Sequence, residues 1–308
     1  MLFGRDTPLL FEDVPPTDDN YDELLPRRIE RLRTLAAEAH LDAVNVPDVH
    51  VNEATVDGYC TALRVTQPRR YASDIHRATG IRTVLNVVVP YYSTDELEKE
   101  LLGASRGGIH DVVLVGGAGK GKYVGPRIPD ANAFARRLDY RPHVTPNIGN
   151  IAVPTRRDAV PDEPQRILQK VRTGASYLTS QIVYEAESTV RLLAELDRLF
   201  AREHEKPPLY FIGVAPVTSE RDVKFLQWLG VKIPPQTENE ILSSDEPSTA
   251  SMAHALGICD TIQTEVRERG IRVPLGVLVE YASYHSFDAA AELAQQLDIK
   301  RRERVLLA

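Results

Sequence analysis

Cysteine occurs only twice in the 308 residues, as Cys60 and Cys259. The two lie far apart and match no ligand spacing, so neither a disulfide framework nor a cysteine-based zinc site is indicated. Long apolar runs are missing as well. The stretch from Val84 to Tyr92 is nearly apolar, but it is about half of the roughly 20 residues needed to cross a bilayer. Met1-Leu-Phe-Gly-Arg-Asp6 puts charges where a secretory leader needs its apolar segment. Together these absences lead to the expectation of a soluble protein of a reducing cytoplasm, without membrane contact. Excess positive charge is lacking too: 37 Lys+Arg against 44 Asp+Glu leave a net charge of −7. That disfavours a nucleic-acid partner, because phosphate neutralisation needs a cationic surface. There is no Gly-x-Ser-x-Gly elbow, and none of the 8 histidines forms a metal-ligating spacing pair. Hydrolysis by serine or metal is therefore not indicated, and no metal is expected.

What is present is an alternation of strand-length apolar runs with segments of helical period. Pro8–Glu12 reads as a strand, followed by a helix over Tyr21–His40 with Ile29, Leu32, Leu35 and Ala36 on one face. Asp42–Pro47 and Arg82–Val89 are the next strands, with a helix over Arg69–Thr79 between them and a capping box at Ser93-Thr-Asp-Glu96 opening the helix that follows. Asp111–Val115 leads through a glycine-rich loop to a helix near Asp130. Further strands are read within His143–Val153, Tyr177–Val183, Leu209–Ala215 and Pro274–Tyr281. Helices follow them over Glu163–Thr173, over Glu185–Glu203, from Ser219 and near Thr249–Arg269, and over Phe287–Leu297. Eight strand-then-helix units predict one (β/α)₈ TIM barrel spanning residues 1–308 as a single domain. A doubly wound open sheet is the rival reading of the same alternation.

A barrel of this kind confines chemistry to the C-terminal ends of its strands. Glu12 ends the first strand among Leu, Phe, Val and two prolines, where partial desolvation raises a carboxyl's pKa and suits it to donate a proton. An acid that caps a loop or pairs with arginine fits the position equally well. Asp13 points the other way by strand alternation. Gln181 closes an apolar strand and offers a carboxamide that can read a planar heterocycle, although a solvated glutamine is the plainer reading. Asn45, Asn86, Glu280 and Tyr281 also lie at strand ends and can line a pocket or serve the structure. Gly116-Gly-Ala-Gly-Lys-Gly-Lys122 nearly spells a P-loop, but Tyr123 stands where Ser or Thr must hold magnesium. A nucleotide triphosphatase is rejected on that ground. The turn, with Gly117, Lys120 and Lys122, can still form a nest for phosphate or carboxylate, and Arg156, Arg157 and Lys170 can add positive charge around such a ligand.

Phe11-Glu-Asp-Val-Pro-Pro16 resembles the first-strand motif of the methylenetetrahydrofolate reductases. The similarity continues in order through Leu101–Val113, Lys170–Gln181, Ile212–Val217 and Lys232–Pro235. The resemblance implies a (β/α)₈ barrel that reduces the methylene bridge of a tetrahydropterin, tetrahydrofolate or a methanopterin-type analogue, to a methyl group. It places Glu12 on the catalytic acid, Gln181 on the pterin contact and Lys170 on a phosphate contact. The flavin positions depart from the family: its Arg-Gly-Asp reads Gly116-Gly117-Ala118, its His is Asn86, and its Tyr-Pro-Glu appears as Ile151-Ala-Val-Pro154. FAD is thereby disfavoured, and the resemblance is closest to a flavin-free branch in which NADH or NADPH passes hydride directly. The Gly116–Lys122 turn would then hold the dinucleotide phosphates. A FAD-dependent reductase, and a non-catalytic pterin-binding or methyltransfer-partner protein, are the alternatives. Oligomeric state is left open.

Overall fold

The apolar runs become strands because each is short, rich in Val, Ile and Leu, and bounded by turn residues. The computed structural model describes residues 7–56, 59–117, 122–156 and 162–307. In chain order these hold β1 (Leu9–Glu12), α1 (Tyr21–Glu38), β2 (Ala43–Val46), β3 (His50–Val56), β4 (Tyr59–Arg64), α2 (Pro68–Thr79), β5 (Thr83–Val88), α3 (Thr94–Arg106), β6 (Asp111–Val115) and α4 (Ile128–Arg137). They continue with β7 (Asn147–Ala152), α5 (Glu163–Thr173), β8 (Ala175–Ser180), α6 (Ala186–Arg202), β9 (Leu209–Val214), α7 (Glu220–Trp228), α8 (Pro235–Leu242), α9 (Pro247–Glu268), β10 (Leu275–Val279) and α10 (Phe287–Leu307). Eight strands close into a barrel in the order β1-β10-β9-β8-β7-β6-β5-β2, and every pairing around it is parallel. The expected TIM barrel is the observed fold, and the open-sheet rival is excluded by closure.

Strand alternation divides the core in two. Leu9, Phe11, Val44, Val46, Leu85 and Val279 face the helices in the larger apolar cluster. Leu10, Ala43, Val84, Val113, Tyr177, Phe211 and Leu278 fill the barrel itself. Two rings dominate that interior, and glycines make room for them. A Cβ at Gly149 would lie 2.3 Å from the Tyr177 ring, and one at Gly276 would lie 2.5 Å from Phe211. At the N-terminal end of the barrel, Arg301 of α10 donates to Asp42 at 2.8 Å, and Asp42 also accepts from the Leu9 amide at 2.8 Å. This anchorage explains why α10 runs to Leu307 although apolar periodicity ends at Leu297.

The antiparallel pair β3–β4 was not anticipated from the apolar runs, because its strands alternate with polar residues and lie outside the core pattern. The sequence signal was Asp57-Gly58, a hairpin dipeptide between two alternating runs. Its base is held by Asp48, which accepts from the Val88 amide at 3.0 Å and the Tyr92 hydroxyl at 2.9 Å, with His50 at 3.1 Å and Arg64 at 3.4 Å. The hairpin thus stands at the C-terminal end of β5, and the Cys60 amide donates to the Lys122 carbonyl at 2.6 Å.

Two glycine substitutions of opposite sign check this packing. Gly149→Ala should lower unfolding stability by about 1–3 kcal/mol through overpacking against Tyr177. Gly257→Ala, in α9 with nothing within 4 Å of the added Cβ, should raise it by up to about 1 kcal/mol through helix propensity. Urea-denaturation midpoints measure both, and a neutral Gly149→Ala would contradict the fit of the Tyr177 ring.

Candidate functional site

The inward alternation that places Leu10, Ala43, Val84, Tyr177 and Leu278 inside the barrel continues one step further along each strand. It brings Glu12, Asn45, Asn86, Thr179 and Glu280 to the mouth, where all five line a cavity of about 950 Å³ at the C-terminal ends of the strands. Gln181, Gly117 and Lys170 line the same cavity. A space of this size lies at the upper end of the range for small-molecule and cofactor sites.

Glu12 is the most perturbed acid whose value falls near neutrality: its carboxyl is pushed up to about 7. Burial is the main cause, and the nearby Asp13 charge adds to it. The hydrogen bond donated by Asn45 Nδ2 to Glu12 Oε2 at 2.7 Å opposes the shift. Glu280 is raised well above the ordinary carboxyl range, first by burial and then by the Glu12 charge. Asn45 Oδ1 and Asn86 Oδ1 are buried in the same wall without a hydrogen-bond partner, so the mouth keeps acceptors ready for a ligand's N–H groups.

Behind this wall Asp13 points the other way, as its place in the strand requires. It accepts from Tyr281 at 2.7 Å, from Arg28 at 3.1 Å and from Tyr71 in a short contact. Tyr281 belongs to this group, not to the cavity. With Glu280 facing in, the next residue must face out toward the helices, and the expectation that Tyr281 lines the pocket is corrected accordingly.

Gln181 reaches the cavity, but its carboxamide is engaged. Nε2 donates to the Leu229 carbonyl at 3.2 Å, and Oε1 accepts from the Ile182 amide at 3.1 Å. The glutamine therefore ties the end of β8 to the segment after α7.

Across the ring from β1 and β10 stand β7 and β6, and the elements after them supply positive charge. Arg127, Arg156, Arg166 and Lys170 line the cavity. Three of these surround the buried Glu163: Arg156 at 3.1 Å, Arg166 at 3.5 Å and Lys170 at 3.8 Å. One carboxylate cannot neutralise three cations, so this wall favours an anionic ligand group. Burial pushes the Lys170 ammonium down to about 8; Glu163 works against the shift and the two arginines add to it. Its Nζ donates to the Ile151 carbonyl at 2.7 Å. Arg127 was missed in the sequence; its signal was Ile128-Pro129, a helix opening that puts the preceding residue on the loop side of the barrel.

The glycine-rich turn contributes Gly116 and Gly117 to the lining. Lys122 is exposed and does not line the cavity; its place beside β4 turns it away, which corrects its assignment to the ligand. Lys120 and Arg157 lie outside the described residues. Among the described residues no group of three or more His, Cys, Asp or Glu could hold a metal ion, and no helix is long and apolar enough to cross a membrane.

No known family and no curated protein matches the chain by sequence. Solved structures do share its architecture. A protein from Clostridium thermocellum, described as binding two copies of 5-methyl-5,6,7,8-tetrahydrofolic acid, superposes with a TM-score of 0.78 at 21% identity, over 95% of this chain and 95% of that one. EDTA monooxygenase from Chelativorans sp. BNC1 superposes with a TM-score of 0.52 at 11% identity, over 96% of this chain and 94% of that one. At these identities the likeness establishes the shared barrel.

The raised Glu12 carboxyl makes stability depend on pH. Because the folded state binds this proton more tightly than the unfolded chain, the stability it contributes is full below the ordinary value of 4.5 and is lost as pH rises through about 7. Glu12→Gln does not suffer that loss. Its melting temperature relative to the unsubstituted protein should therefore rise between about pH 5 and about pH 8. A difference that stays constant with pH would show that Glu12 is solvated.

Proposed function

We propose that the cavity binds a reduced pterin of the folate class and that the protein reduces its 5,10-methylene form to the 5-methyl form with hydride from NADH or NADPH. The observation that carries this reading is Glu12, a carboxyl held in its acid form near neutrality at the mouth of a large cavity whose other wall is cationic. The tetrahydrofolate described for the Clostridium thermocellum protein supports the ligand class.

The chemistry follows from that layout. Glu12 gives its proton to the bridging nitrogen on the aminobenzoyl side, the methylene carbon–nitrogen bond breaks, and the imidazolidine opens to an iminium at the other nitrogen. Hydride from the reduced nicotinamide then adds to the iminium carbon and leaves a methyl group. One proton and one hydride are consumed, and the nicotinamide is oxidised. Asn45 steers the Glu12 carboxyl through its 2.7 Å hydrogen bond. Direct transfer requires the nicotinamide ring and the pterin to meet within the cavity of about 950 Å³, where proximity takes the place of an intermediate carrier. Arg156, Arg166 and Lys170 offer a seat for carboxylate or phosphate groups, the anionic parts common to both reactants. The wall formed by Val115, Gly116 and Gly117 carries no ionic side chain, which supports a direct transfer over one through FAD.

A binding protein that carries out no turnover is the second reading, favoured by a structural neighbour described only by what it binds. Anaerobic mixing of methylenetetrahydrofolate with NADH or NADPH, with and without FAD, separates the readings once the protein's absorbance has shown whether a flavin copurifies. Nicotinamide oxidation coupled to methyl-product formation is expected without FAD. Glu12→Gln should lose at least about 100-fold in rate, the scale of a missing general acid, while still binding tetrahydrofolate by calorimetry. Binding without turnover in the unsubstituted protein would establish the second reading, and absence of binding would overturn both.

A further inference from the structure

Glu280 has no partner that explains its place. Among the described residues its side chain makes no hydrogen bond or ion pair, although it projects into the cavity wall from the end of β10. Its carboxyl lies against Gly213 on β9, where an added Cβ would come within 2.9 Å of both Glu280 Oε1 and the Ser180 carbonyl. In the β1–β10 register Phe11 is level with Val279, which sets Glu12 beside Glu280 on neighbouring strands, both facing inward. Adjacent strands stand about 4.8 Å apart, so two such carboxyls share one field.

We propose that Glu280 is a positioning partner of Glu12: the pair rests with both carboxyls protonated and keeps one proton when Glu12 gives its own away, so that Glu280 is the reserve that returns Glu12 to its acid form after each proton transfer. This deepens the reading of Glu12 as an acid and requires no particular ligand. Among the described residues, the groups facing the pair supply no compensating positive charge. Asn45 donates to Glu12, Asp13 stands behind it as a further acid, and Ser180 and Tyr184 lie toward Glu280. Arg28, on α1, is committed to Asp13 on the far side of the strand. Two carboxyls at this separation without a cation do not both ionise near neutrality, and the proton they retain belongs to the pair. When Glu12 donates, it becomes an anion beside neutral Glu280. Transfer of the Glu280 proton to Glu12 restores the acid and ionises Glu280, and one proton from solvent refills the pair.

Infrared difference spectroscopy on the ligand-free protein tests the pair directly, since the stretch of a protonated carboxyl is distinct from that of a carboxylate. At about pH 9, where an isolated glutamate is fully ionised, the unsubstituted protein should keep a protonated-carboxyl band that Glu280→Gln removes. Any contribution from Asp13 is common to both and cancels. Glu12→Gln should keep the band but release it at lower pH than the unsubstituted protein, because the neighbouring anion is gone. In turnover, Glu280→Gln should move the alkaline limb of the rate profile down by at least about one pH unit. A Glu280→Gln spectrum that matches the unsubstituted one at this pH would overturn the pairing. The expected bands in a protein without turnover would keep the pair and reject the reductase.

Discussion

Closure of eight parallel strands with an inward side chain at every second position is the constraint on which this molecule depends. It fills the barrel with Tyr177 and Phe211, demands glycine at 149 and 276 to admit their rings, and delivers five polar side chains to the mouth in a single layer. The same alternation sorts the acidic pair at the end of β1. Glu12 turns into the cavity, while Asp13 turns out to a guanidinium and two tyrosine hydroxyls. Neighbours in sequence thus meet opposite environments: Glu12 is half-buried with no cation beside it among the described residues, and Asp13 is fully buried but supplied with donors.

The charge layout of the cavity follows from the barrel's circular order. Elements after β6 and β7 carry the cations, and β1 and β10, across the ring, carry the acids. Glu163 gathers Arg156, Arg166 and Lys170 without cancelling them. Such a polarised cavity orients a ligand that is neutral and basic at one end and anionic at the other. Gln181, tied to the Leu229 carbonyl, and Asp48, tied to β5 and the β3–β4 hairpin, hold the loops that frame this space.

Much of this was legible beforehand for a simple reason: strand and helix periods are local, and inward or outward placement at a strand end follows from parity. Glu12, Asn45, Asn86 and Glu280 were all reached that way. Parity also bore on Tyr281, which follows inward Glu280 and so faces out; counting it among pocket residues overlooked that rule. The β3–β4 hairpin escaped because it is an excursion from the barrel with no apolar face in the core. Lys122 was misplaced because a glycine-rich turn has no period, and its course is set by contact with β4.

By itself the order of residues determined the eightfold alternation, the strand ends and the identity of the inward acids, since those rest on spacing along one chain. Tertiary structure alone decided that Glu12 and Glu280 stand side by side, because β1 and β10 lie at opposite ends of the chain and meet only when the barrel closes. It also decided that three cations converge on Glu163 and that a half-buried carboxyl at the mouth has, among the described residues, no cation beside it. Desolvation and Coulomb interaction depend on distance in space, and sequence separation does not set that distance.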